Sequence, residues 1–290
     1  AQDMSQQVWE AVLAPALADR QGEAMFSGTP KGYNWFYDLW QQGHADPSWE
    51  CFRSTTLESG IVPDEEVEKQ RRTMDVRLFR QEFEASFETL AGRVYQPFIR
   101  EDHAIPEVAD HGGEVLVGMD FNVNPMCACI AFKVAGQLHI TDEIVLPDAN
   151  TETMARALDQ RLAGRQVIIY PDPAGRQRRT SAALGHTDLS ILEGYGFTVI
   201  APKRAPLVVD RINEVNAMWE NSAGEARMFV HPRCKQLIKS MEGLTYKEGT
   251  NQPDKSAGLD HMADALGYLV HGTFPINSEV VGAVRVSGYY

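Results

Sequence analysis

The sequence has no apolar run approaching bilayer-spanning length, and its N-terminus has no basic region leading into an apolar one. Nothing therefore marks it for a membrane or for export, and a cytoplasmic site is the expectation. Cysteine is scarce: Cys51, Cys127, Cys129 and Cys234 show no metal-finger spacing. Cys127 and Cys129 stand two apart in a strand-like run, hence on one face, and are expected as buried thiols. An excess of positive charge is also missing. With 27 Lys and Arg against 40 Asp and Glu, the formal net charge is −13, which argues against indiscriminate binding of nucleic acid, because phosphate contacts need local cations. Finally, no G-x-x-x-x-G-K-[ST] loop is present. The β- and γ-phosphates of a nucleotide then have no backbone cradle, and ATP hydrolysis is not expected.

What is present is enough apolar material for two cores: 290 residues, 43% of them hydrophobic. The first part predicts a helix over 5–13 ending near Pro15, a short strand at Ala24-Met25-Phe26, a Gly- and Pro-rich turn over 27–32 and a helix over 34–41. From Gly113 the pattern changes. Residues 114–121, 126–134 and 137–146 read as three successive strands, the last two joined at Ala135-Gly136. Then helices and strands alternate: helix 151–162, strand 166–170, helix 180–193, strand 197–201, helix 208–219, strand 227–230, a helix from Arg233 and a last helix from Leu259 with Met262, Leu266 and Leu269 on its buried side. Three antiparallel strands followed by alternation is the order of a ribonuclease H-like fold, an α/β mixed sheet flanked by helices.

Acidic residues fall at the ends of these elements. Asp120 follows the apolar run Val115-Leu116-Val117, Asp172 follows the strand ending at Tyr170, and Asp260 and Asp264 lie four apart on the last helix, with His261 one step round. A lone Asp at a strand end is usually a turn former or a cap. Carboxylates gathered from several elements repel one another unless a divalent cation neutralises them, and the set points to a metal-dependent nuclease. Two Mg²⁺ or Mn²⁺ ions about 4 Å apart would activate a water and stabilise the leaving oxygen of a phosphodiester. Asp120 is the candidate bridging ligand and Asp172 a ligand from a neighbouring strand end; Asp264 or Asp260 completes the set, and His261 could assist near the scissile phosphate. Glu143, on the third strand, is a weaker candidate, because alternation sends either it or Asp142 to the same face. Basic residues cluster at Lys69, Arg71, Arg72, Arg77 and Arg80, at Arg176, Arg178 and Arg179, and at Lys203-Arg204. Only the second group, just after Asp172, stands beside a candidate ligand, and it is expected to hold the DNA backbone.

The run from Val8-Trp9-Glu10 through Pro15-Ala16-Leu17-Ala18-Asp19-Arg20 to Phe26-Ser27-Gly28-Thr29-Pro30-Lys31-Gly32 resembles the large terminase subunit of tailed phages, the motor that packages DNA into capsids. The Thr-Pro-x-Gly segment is similar to that family's coupling motif, and Ala1-Gln2-Asp3-Met4 to the segment directly after its Walker B acidic pair. Phe79-Arg80-Gln81-Glu82-Phe83 and Gly92-Arg93-Val94-Tyr95-Gln96-Pro97-Phe98 look like its passage from motor to nuclease. The likeness runs from Ala1 to about Val270 and implies a remnant of the ATPase domain with its linker (1–95, a partial α/β segment), a ribonuclease H-like nuclease (96–275) and a flexible tail (276–290). It further implies cutting of concatemeric double-stranded DNA in the host cytoplasm, with the terminase small subunit and the portal protein as partners. A His-x-x-Asp segment carries the family's acidic ligand and falls here on His261 and Asp264, so Asp264 is preferred and Asp260 kept as an alternative or a cap. Two other readings stand beside this one: another ribonuclease H-like enzyme, such as a transposase or resolvase, and a non-catalytic packaging scaffold or motor fragment.

Overall fold

The computed structural model describes residues 4–30, 35–87, 92–108, 110, 112–176, 187–247 and 250–275. The chain divides into two compact units, Ala1–Leu90 and Ala91–Tyr290.

The described elements of the first unit are helical. Its opening helix does not stop at Pro15: it continues from Gln6 to Arg20, with one wider turn at Trp9–Leu13. Proline cannot donate a backbone hydrogen bond, and the wider turn directly before it absorbs that loss. The expected strand at Ala24-Met25-Phe26 does not form. Met25 is 92% exposed, and the Phe26 ring packs edge-on against Trp9 with centroids 4.6 Å apart and stacks on Trp49 at 6.0 Å, so aromatic packing replaces strand pairing. Further helices span Trp35–Ala45, Thr56–Ser59, Asp64–Arg71 and Val76–Phe83. Thr55 and Glu58 cap one reciprocally, and the Asp75 carboxylate caps another.

The second unit is built on one sheet. Strands β1 (Val115–Asp120), β2 (Met126–Val134) and β3 (Gln137–Leu146) form an antiparallel meander. Strand β4 (Val167–Pro171) adds parallel to β1, β5 (Thr198–Val199) parallel to β4, and β6 (Met228–Val230) parallel to β3, giving the order β5-β4-β1-β2-β3-β6. Parallel neighbours require crossovers. Helix α1 (Thr151–Leu162) leads from β3 to β4, α2 (Asp188–Gly194) from β4 to β5 and α3 (Val208–Trp219) from β5 to β6; α4 (Lys235–Gly243) and α5 (Asp260–Thr273) complete the unit. Helix α2 begins at a capping box on Thr187; the earlier part of the helix expected over 180–193 lies outside the described residues, apart from that cap. The expected tail from Asn277 also lies outside them.

Alternation along β1 sorts the two faces. Val115, Val117 and Met119 join Met154, Leu158 and Leu192 in one buried cluster, so α1 and α2 cover that side. Leu116, Gly118 and Asp120 point the other way, where α5 lies, with Met262, Leu266 and Leu269 fully buried. A Cβ on Gly118 would collide with the Ala265 carbonyl oxygen and lie 2.7 Å from Leu269 Cβ and 2.9 Å from Cys129 Sγ. Only glycine lets the helix approach β1 this closely, and that approach carries the acidic start of α5 towards the end of the strand. Cys127, Cys129 and Cys234 are buried free thiols, as expected for the first two.

Candidate metal centre

Asp120 and Asp172 are presented by adjacent parallel strands. The Asp172 amide donates to the Met119 carbonyl at 3.0 Å, which continues the ladder one residue beyond β4 and fixes one carboxylate-bearing backbone against the other. Asp172 spends one oxygen locally, accepting from the Ala174 amide at 2.8 Å. Asp264 comes from the first turns of α5. These three carboxylates line one cleft of about 390 Å³ together with Asn122, Asp188, Arg211, Lys255, His261 and Tyr268.

Asp120 is 8% exposed, and its carboxyl is pushed up to about 6, chiefly by burial and then by the charges of Asp264 and Asp172, against the opposing pull of His261. His261 faces it with Nδ1 at 3.2 Å from Asp120 Oδ2, while the Asn122 amide nitrogen lies 3.0 Å from His261 Nε2 and donates to the Asn124 carbonyl. Because that nitrogen only donates, Nε2 accepts and Nδ1 carries the ring proton towards Asp120. Asp264 is held by Arg211, whose Nη1 donates to Oδ1 at 2.9 Å. Arg211 is itself buried, with its guanidinium 4.2 Å from the centre of the Tyr268 ring.

The two candidates on α5 separate. Asp264 lines the cleft. Asp260 is 3% exposed, forms an ion pair with Lys255 at 2.9 Å and is not among the residues that line the cleft. It is the first residue of α5 rather than its cap, a position taken by Leu259. Glu143 is occupied elsewhere: its two oxygens accept from the Gln236 and Leu237 amides at 2.8 and 2.9 Å, capping the start of α4 from a distant strand. Arg176 turns its guanidinium to the Ala201 carbonyl, which ties the turn after Asp172 to the loop before α3. Arg178 and Arg179 lie outside the described residues.

Among the described residues no three carboxylate, imidazole or thiol groups stand close enough to form a ready-made metal site. The carboxylates of Asp264 and Asp120 are instead paired with groups of the chain itself: Asp264 with Arg211 and Lys255, Asp120 with His261. The donor chemistry nonetheless fits a hard divalent cation, because Asp120, Asp172 and Asp264 offer only oxygen. The Asp120 carboxyl is raised chiefly by burial and only then by the neighbouring charges of Asp264 and Asp172.

Arg211, Lys255 and Asn122 were not singled out as functional residues from sequence. For Arg211 a signal exists: it sits at helical spacing with Val215 and Met218, both buried, and a charge on an apolar stripe asks for a buried partner. For Lys255, in a loop without periodicity, there is none.

A mixed sheet in this strand order, with carboxylates at the ends of its first and fourth strands and on the closing helix, defines a ribonuclease H-like domain. The model of the terminase RNaseH-like domain matches residues 117–272, more than half of the chain, and the chain belongs to that family. The large subunit of the terminase of Escherichia phage T5 is 23% identical over 288 residues, which cover 93% of this chain and 62% of that protein. The similarity thus extends well in front of the matched domain, and the chain spans less than two thirds of that relative's length. Large terminase from a thermophilic bacteriophage has the same fold: its structure in complex with ADP gives a TM-score of 0.65 at 17% identity over 93% of this chain and 67% of that one, and another crystal form of the same protein gives 0.64 at 19% over 92% and 66%.

Proposed function

We propose that this chain is the nuclease portion of a terminase large subunit, a metal-dependent endonuclease that cuts concatemeric double-stranded viral DNA during genome packaging. The observation that carries the reading is the convergence of Asp120, Asp172 and Asp264, from three separate elements, on one cleft. Membership of the terminase family supports the setting.

Asp120, Asp172 and Asp264 would hold Mg²⁺ or Mn²⁺, two ions in the full site. Such ions would supply a nucleophilic hydroxide at neutral pH and charge neutralisation at the leaving oxygen. The chain's own groups do the rest. His261 orients Asp120 through Nδ1, and Asn122 keeps the imidazole in that tautomer. Arg211 fixes Asp264. Arg178 and Arg179, following Asp172 in sequence, would bind the phosphate backbone. Residues 1–95 are read as the rear of a motor domain with its linker, without ATP hydrolysis of their own. The terminase small subunit and the portal protein are the proposed partners, in the host cytoplasm; among the described residues no helix is long and apolar enough to cross a membrane.

The ion pairs that Arg211 and Lys255 make with Asp264 favour a second reading, a non-catalytic packaging fragment whose carboxylates are structural. Incubation of supercoiled plasmid with Mn²⁺ decides between them. Cleavage that EDTA and Asp120→Ala both abolish is the expected result; an intact plasmid with the wild-type chain leaves only the second reading.

A further inference from the structure

Lys255 lines the cleft, yet the nuclease reading leaves it without a task. Its Nζ lies 2.9 Å from Asp260 Oδ2 and 3.4 Å from Asp264 Oδ2. The lysine side chain is 58% exposed, whereas that of Asp260 is 4% exposed and that of Asp264 21%. One partly exposed cation thus reaches in from solvent and bridges a buried carboxylate to the carboxylate that faces the cleft. Asp260 Oδ1 has no hydrogen-bond partner among the described residues, and His261 Nε2 stands 3.9 Å from it, so Lys255 is the principal compensation for a buried charge. A carboxylate in that position is costly unless paired.

We propose that Lys255 is the resident counter-ion of the acidic cleft: anchored by Asp260, it neutralises Asp264 while no metal is bound and competes with the divalent cation for that carboxylate. The assignment rests on the reading of Asp264 as a metal ligand, and it gives Asp260 a different task, that of a positioning residue for the lysine. Charge alone dictates the chemistry. An ammonium and a divalent cation cannot both sit against one carboxylate oxygen without repelling each other. Metal uptake therefore releases the lysine from Asp264 while Asp260 retains it, and the ammonium is left at the mouth of the cleft, where its stem is already solvated. Lysine suits this better than arginine, because its point charge sits on a flexible stem and makes no bidentate lock.

Two measurements test it, neither of them activity. Titration calorimetry with Mn²⁺ in the absence of DNA should show Lys255→Met binding the ion roughly three- to tenfold more tightly than wild type, the size expected for removing one charge a few ångströms from the metal through water-like screening. Affinity that is unchanged or weaker overturns the competition. Thermal melts in EDTA at pH 8 form a cycle: Lys255→Met should lower the melting temperature, because Asp260 is left buried and unpaired, and the same change made on Asp260→Asn should cost much less. Equal losses in both backgrounds overturn the anchoring. If wild type takes up no Mn²⁺ at all, the metal reading fails, while the melting cycle still decides whether Asp260 anchors Lys255.

Discussion

At Asp120 burial and charge pull against function. The carboxyl is buried beside two like charges and pushed up to about 6 from an ordinary value of 3.8, so between those values the folded chain keeps a proton that the unfolded chain has lost. For a raised acidic group the sign is clear: its favourable contribution is whole below the unfolded value and is lost as the pH rises through the folded one. In EDTA at pH 8, Asp120→Asn should therefore be more stable than wild type, by something on the order of 2–3 kcal/mol, and the gain should shrink away as the pH falls below about 4. Melts across that range check it, and a less stable variant at pH 8 would count against the placement. The same variant should not cut DNA. Of the cleft residues, Asp120 and Asp172 were legible as carboxylates at strand ends, and Asp264 and His261 through the His-x-x-Asp resemblance. Asn122, Arg211 and Lys255 were not, because their roles come from partners 139, 53 and 9 residues away. The choice between Asp260 and Asp264 turns on which one faces the cleft, and four-residue spacing puts both on the same side of the helix.

At the scale of elements, the close approach of α5 to β1 is the joint on which the site depends. Gly118→Ala would drive a methyl into the Ala265 carbonyl and Leu269, and overpacking of this kind costs about 1–3 kcal/mol. Urea unfolding should show that loss, and cleavage should fall with it as Asp264 is moved from Asp120; wild-type values for both would mean that the helix has room. Glu143 makes the opposite case. Glu143→Ala should lose about 1 kcal/mol, the worth of a helix cap, with Mn²⁺ affinity close to wild type, whereas a metal ligand would take metal binding with it. The strands of the meander and helices α1 and α3 were legible almost to the residue, since apolar runs bounded by turn residues mark the strands and segment length marks the helices. The misreadings have local causes. Ala24-Met25-Phe26 is apolar because Phe26 serves an aromatic cluster, and the first helix outruns Pro15 because a wide turn can precede a proline.

For the whole molecule, a net charge of −13 means that, on the proposed reading, DNA would have to be held by a few placed cations against a repulsive background. Arg176 is tied to the Ala201 carbonyl, so it should matter to stability more than to binding. Arg178→Ala with Arg179→Ala should weaken DNA binding about equally for all sequences and reduce the logarithmic salt slope by roughly 0.9 for each phosphate no longer held. Titrations over a range of salt, in Ca²⁺ so that no cutting occurs, would show it; an unchanged slope would place the DNA on another side. The hydrogen bond from the Asp172 amide to the Met119 carbonyl carries one last consequence for the molecule at work. It belongs to the sheet itself, so the mountings of two carboxylates are set once the strands pair, before any ligand arrives. A blade ground in advance has no trigger of its own. On the proposed reading, the moment of cutting is decided by what admits the duplex to the cleft, and the isolated chain should cut plasmid at many sites rather than at one.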